Sequence, residues 1–190
     1  MARRTAEDAR TAIVEAARHC FAAAGFRGTS LADIAAETGC AKATLLYHFD
    51  SKEAILAELV TPLWAQMESL AADLERLDDA DAQREAISRM TAIGLAFRSE
   101  LGVFYGEIPE LLSSGLFEGA KEASDAILHA LVHRSDAPGA RIVAVVVVAG
   151  IAAACHEYNT APRGTLRAAI AHVMRNSLEG FAGDMELVAP

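Results

Sequence analysis

The sequence predicts an all-α fold, an N-terminal three-helix lobe followed by a larger helical lobe, on three observations. Apolar residues make up 53% of the 190 residues, alanine is abundant, and only 5 prolines interrupt the chain, a composition that favours helices over strands or disorder. The apolar residues recur at intervals of three and four, the repeat of one helix face. Glycine, proline and capping residues fall between those periodic segments. A chain of this length can hold two modest cores, so a division into residues 1–52 and 53–190 is expected.

The first helix is expected over about Thr5 to Ala24, with Ile13, Ala16, Ala17, Cys20, Phe21 and Ala24 on one face and Glu7, Asp8, Glu15 and Arg18 on the other. Ser30 then caps a short helix. Asp33 stands at its third position, where it reaches back as a shortened capping box, and Leu31, Ile34 and Ala35 form its apolar face. Gly39 ends that helix, because a residue without a Cβ accepts the left-handed backbone that turns one helix into the next. The following helix, Ala41 to about His48, buries Leu45 and Phe49 four residues apart and presents Lys42, Ala43, Thr44, Tyr47 and His48 outward. Short helix, glycine turn, short helix is a helix-turn-helix, and the outward set suits double-stranded DNA. A cation, a hydroxyl, a phenol and an imidazole reach phosphates or base edges, while Ala43 permits close approach or meets a thymine methyl.

From Gly25 to Glu53 the chain reads Gly-Phe-x-x-Thr-Ser-x-x-x-Ile-Ala-x-x-x-Gly-x-x-x-x-Thr-Leu-x-Tyr-His-Phe-x-Ser-Lys-Glu. This pattern resembles the DNA-binding region of the tetracycline-repressor (TetR) family of bacterial regulators, over roughly Ala6 to Leu59. Three positions depart from the family pattern: Ala41 where serine usually caps the recognition helix, Ala43 where glycine is common, and Leu46 where tyrosine often stands. Loss of the cap costs about 0.5–2 kcal/mol unless another acceptor, such as a phosphate oxygen, takes the free amides. The resemblance implies a homodimer that binds a palindromic operator with one recognition helix per half-site. It implies repression relieved by a small, largely apolar effector, with an activator or an effector-independent regulator of the same fold as the alternative. The DNA-contacting residues implied are Thr29, Ser30, Lys42, Ala43, Thr44, Tyr47, His48 and Lys52. Lys52 is included because in the family this lysine commonly meets the DNA backbone, although a lysine in a first helical turn opposes the helix dipole.

Charge is unevenly spread. Residues 1–52 hold seven Lys/Arg and six Asp/Glu, whereas residues 53–190 hold ten and twenty, for a net charge of −9. Local placement of donors, more than bulk attraction, must therefore supply affinity for phosphate, and a moderate salt dependence is expected. Arg3 and Arg4 read as a solvated terminus, with a short minor-groove arm as the alternative. Cys20, Cys40 and Cys155 are odd in number, widely spaced and set in apolar helical patterns, which points to a reducing compartment and to small buried hydrophobes. Met1-Ala2-Arg3-Arg4-Thr5 does not open a signal peptide, and the longest apolar stretch, Ile142 to Cys155, is 14 residues, short of the roughly 20 that span a bilayer. A cytoplasmic protein without a membrane partner is expected.

Asp50 or Ser51 caps a long helix that bridges both lobes, its stripe running from Ile55 through Leu59, Leu63, Met67, Leu70 and Leu74 to Leu77, with Pro62 predicting a kink. Further helices are expected over about Ala82–Ser99, Glu107–Ser113, Phe117–Arg134, Ala140–Glu157 and Thr165–Phe181. The helix through Ile142–Cys155 is apolar on nearly every face and needs cover on all sides. A partner chain supplies it, with Leu166, Ala169, Ile170, Val173, Met174 and Leu178 completing a bundle of two helices per subunit. Trp64, Met67, Met90, Phe97, Phe104, Tyr105, Phe117 and Leu128 are more large side chains than a short bundle requires, and are the candidate lining of an effector cavity, with a dry core as the alternative. His129 and His133 have a spacing that can present two imidazoles to a metal, but without a recognised third ligand they read as solvated or core histidines. No Gly-x-Ser-x-Gly elbow, phosphate-cradling glycine loop or His-Glu-x-x-His occurs, so neither an enzyme nor a cofactor is expected.

Overall fold

The computed structural model describes residues 6–104 and 119–178, without the side chains of residues 102–104 and 138. Among the described residues the chain forms nine α-helices and no strands, in two compact units, Met1–Pro62 and Leu63–Pro190.

The first unit holds α1 (Ala6–Gly28), α2 (Leu31–Thr38), α3 (Lys42–His48) and the start of α4 (Lys52–Leu74). Ile13, Ala17, Phe21, Ile34, Leu45, Phe49, Ile55 and Leu56 are among its buried apolar side chains, the faces that periodicity selects. The regular run of α1 stops where expected, at Gly25, whose φ of 74° and ψ of 165° only glycine takes without strain. One further turn carries it to Gly28. Ser30 caps α2 in a complete capping box with Asp33, and Gly39 closes it in the left-handed conformation at φ 69°. Of the two candidate caps for α4 it is Ser51 that acts, accepting from the Ala54 amide at 3.1 Å. The helix continues through Pro62 and ends at Leu74, so Leu77 lies in the turn beyond.

The second unit adds α5 (Asp79–Ala96), α6 (Arg98–Phe104), α7 (Ala120–Leu131), α8 (Pro138–Glu157) and α9 (Arg163–Leu178). Asp78 caps α5 by accepting from the Asp81 amide at 2.8 Å. Where one helix was expected over 82–99, the chain breaks at Phe97 (φ −107°, ψ 25°) and starts α6, which runs on through Gly102. The helix expected over 117–134 ends at Leu131, because His133 and Arg134 turn left-handed (φ 53° and 52°). That turn aims the Arg134 guanidinium at the end of α4, where it donates to the carbonyls of Leu74 (2.7 Å) and Leu77 (3.2 Å) and to Asp79 (2.6 Å). It brings a charged donor to the carbonyls at and just beyond the end of α4, where the helix's own amides run out. Buried Gln83 brings a neutral one to helix ends elsewhere, its amide donating to Leu131 (2.8 Å) and Leu178 (3.0 Å), the last carbonyls of α7 and α9. The expected segment Glu107–Ser113 and the end of the last helix beyond Leu178 lie outside the described residues.

Helix α8 corrects the apolar length read from sequence. Gly139–Glu157 spans 19 residues at a mean hydropathy of 1.9, long and apolar enough to cross a membrane by length and composition, with 39% of its window buried. Its inner face, Ala140, Ala144, Val147, Ile151 and Cys155, joins the core with Leu166, Ile170, Met174 and Leu178 of α9. Its outer face leaves Ile142 59% and Val146 64% exposed, together with Val145 and, on α9, Val173.

Candidate nucleic-acid interface

The helix-turn-helix is fixed from beneath and left open above. Leu45 and Phe49 anchor α3 in the core, while Lys42, Ala43, Thr44 and Tyr47 are exposed, Tyr47 at 82%. The Tyr47 ring meets His48 edge-on at 5.2 Å, and His48 is half-buried. Ala41 stands at the N-cap of α3 without a side-chain hydrogen bond, so packing, not capping, holds this seven-residue helix. Ser30 is exposed at the start of α2. Its hydroxyl donates to the Asp33 carboxylate at 2.7 Å, and this bond with that from the Ser30 amide holds the Asp33 carboxyl below the usual range.

Thr29 and Lys52 face the other way. The Thr29 hydroxyl is buried and donates to the carbonyls of Gly25 (2.8 Å) and Cys20 (3.1 Å). The Lys52 ammonium donates to the carbonyls of Phe26 (2.6 Å) and Thr29 (2.7 Å) and lies 4.3 Å from the centroid of the Phe26 ring. The lysine that opposes its own helix dipole is thus held by carbonyls at the end of α1, and the ring adds a cation–π contact. These bonds give the Gly-Phe-x-x-Thr and Phe-x-Ser-Lys stretches a structural reason: together they pin the corner from which α2 departs.

Arg10 has no part in the sequence pattern, yet its guanidinium touches three elements. One nitrogen donates to the His48 carbonyl at 2.8 Å, two more grip the Glu58 carboxylate at 3.0 and 2.8 Å, and the group lies 4.2 Å from the centroid of the Phe49 ring. The paired hydrogen bonds from Arg10 hold the Glu58 carboxyl below the usual range.

In the second unit Trp64 and Met90 are buried, and Met67, Phe97 and Leu128 are half-buried against the core. The Phe104 side chain, Tyr105 and Phe117 lie outside the described residues. His133, beyond the end of α7, does not share a helix face with His129, whose Nε2 sits 3.6 Å from the Asp136 carboxylate. Among the described residues no group of three His, Cys, Asp or Glu side chains could hold a metal ion. Burial pushes the Cys155 thiol up, Cys155 donates to the Gly94 carbonyl at 3.3 Å, and Cys20 and Cys40 are half-buried.

Residues 13–59 match the family model described as bacterial regulatory proteins, tetR family. The HTH-type transcriptional regulator TtgR of Pseudomonas putida is 36% identical over 84 residues, covering 43% of this chain; the match spans 40% of that relative's own length. A TetR-like transcriptional regulator from Rhodococcus sp. RHA1 superposes with a TM-score of 0.65 at 17% identity, over 96% of this chain and 100% of that one. The transcriptional regulator FadR of Bacillus subtilis, solved in complex with stearoyl-CoA, superposes with a TM-score of 0.58 at 16% identity, over 86% and 96%. Residues 13–59 are thus a TetR-family DNA-binding region by sequence, and the helical fold along nearly the whole chain is that of solved TetR-like transcriptional regulators.

Proposed function

We propose that the chain binds a palindromic DNA operator as a homodimer, represses transcription there in the cytoplasm, and is released by a small, largely apolar effector. The exposed face of α3 carries this reading. Lys42, Ala43, Thr44 and Tyr47 stand in solvent on a helix whose opposite side is anchored by Leu45 and Phe49, so α3 enters a major groove without unpacking. Ser30 and His48 flank the contact. Lys52 retains one of its three donors for a phosphate, and Thr29 supports the corner from behind.

The exposed apolar side chains of α8 and α9 support a dimer built on those two helices. The effector is proposed to lie among Trp64, Met67, Met90, Phe97 and Leu128. FadR, with its stearoyl-CoA, supports an apolar ligand class on this architecture. Occupancy there favours a conformation whose two recognition helices no longer match one turn of DNA, about 34–36 Å.

Selection from a random-sequence duplex library on the immobilised protein tests the proposal. An inverted repeat should be enriched by the parent chain and lost with Tyr47→Ala. No enrichment by the parent would overturn DNA binding, and increased transcription from a promoter carrying the selected repeat would replace repression by activation.

A further inference from the structure

We propose that Arg10 is a positioning residue for the recognition helix, fixing the angle at which α3 offers Tyr47 and His48 by clamping the last carbonyl of α3 between α1 and α4. The inference rests on the DNA-binding function proposed above. A seven-residue helix is not stable alone, and α3 has no side-chain cap at its start, so beyond the packing of Leu45 and Phe49 its angle depends on what grips its far end. That end is where Arg10 reaches. His48 is the last residue of α3, and its carbonyl receives a charged hydrogen bond at 2.8 Å from the same guanidinium that binds both Glu58 oxygens and stacks on Phe49.

The geometry needs arginine. A planar fork donates in fixed directions to a carboxylate and a carbonyl at once, whereas a lysine ammonium is a point donor without that fork. It also needs Glu58, which lies on α4 and anchors the far side of the fork. The pair is 41% exposed on both side chains, so as an ion pair alone it contributes little to stability. Its effect is directional: it decides where the C-terminal end of α3 sits relative to α1 and α4.

Three variants separate positioning from stability. Arg10→Gln should bind the duplex selected by the parent chain about tenfold more weakly, as loss of a charge-assisted bond predicts. It should also exchange the amides of Leu45 to Phe49 faster, while those of α2 stay as in the parent. Glu58→Gln should give a smaller loss of the same kind. In the swapped double variant, Arg10→Glu with Glu58→Arg, the ion pair returns but position 10 can no longer donate to the His48 carbonyl. Its urea midpoint should equal the parent's and its affinity should not.

Recovery of both in the swapped variant, or parent affinity and parent exchange in Arg10→Gln, would overturn the assignment. The control is Tyr47→Ala. If it loses binding while Arg10→Gln keeps it, positioning alone fails; if the parent selects no duplex, the DNA reading fails and the positioning role with it.

Discussion

Val146→Glu is the sharpest test of the dimer. Val146 stands on the outer face of α8, 64% exposed, one turn from Ile142 at 59%. In an interface between two copies about a twofold axis the same side chain is buried twice. Full burial of a valine or isoleucine side chain is worth about 1.5–3 kcal/mol, so the two-thirds still exposed gives about 1–2 kcal/mol per copy and about 2–4 kcal/mol per dimer. The glutamate forfeits that gain and also brings two carboxylates towards each other in an apolar seam. The dimer dissociation constant should therefore rise by at least about thirtyfold, since every 1.4 kcal/mol is a factor of ten. Sedimentation velocity over a dilution series reads the shift, and unchanged far-UV circular dichroism shows that each protomer still folds. If the variant sediments as a dimer at every concentration where the parent does, the α8 face is not the seam.

Three further outcomes are expected. Tyr47→Ala should weaken operator binding by about 1–3 kcal/mol in fluorescence anisotropy while moving stability by less than about 0.5 kcal/mol, because the ring is 82% exposed; parent affinity would remove Tyr47 from the interface. Gln83→Leu strands the buried carbonyls of Leu131 and Leu178 and should cost about 2–4 kcal/mol in urea unfolding, whereas an unchanged midpoint would show that neither bond matters. Hydrogen bonding from Arg141 holds the Asp125 carboxyl below the usual range, so its contribution is present above the unfolded pKa of about 4 and is lost as pH falls through the lower folded value. The stability difference between the parent and Asp125→Asn should thus be complete at about pH 6 and shrink as pH falls below about 4; a difference that stays constant into acid would assign it to something other than the carboxylate charge.

The features legible in the sequence are those whose partners lie within a turn or two. The Ser30–Asp33 capping box, the left-handed Gly39 and the buried pair Leu45 and Phe49 are all decided by neighbours at most four residues away. What sequence reading missed depends on distant partners. Lys52 reaches 23 and 26 residues back, and Arg10 reaches 38 and 48 residues forward. The Phe-x-Ser-Lys word marks Lys52 as special, but the word alone does not say which way the ammonium turns. Nothing near Arg10 marks it at all. The shortened α7 has the same origin: helical spacing continues past Leu131 in the sequence, and the turn at His133 and Arg134 answers to the carbonyls of Leu77 and Leu74, 57 and 60 residues away.

The outer face of α8 poses a choice between a lipid and a protein covering, and its neighbours favour the second. By length and hydropathy alone the helix satisfies a bilayer. Its inner face, however, is already committed: Ala144, Val147, Ile151 and Cys155 pack into the core, and Cys155 donates to the Gly94 carbonyl on α5. Insertion of α8 would bring with it the helix packed beside it, α9, whose exposed side includes Arg167, His172, Arg175 and Asn176. It would also bring the Asp125–Arg141 pair at the start of α8. Charged groups in hydrocarbon cost several kcal/mol each. A second copy makes no such demand. It covers Ile142, Val145, Val146 and Val173, leaves the polar side chains at the rim in water, and meets Ala149 and Gly150, exposed in the same helix and small enough for two backbones to approach closely. The helix that by composition alone suits a membrane is, in its setting, better suited to the proposed seam between two copies.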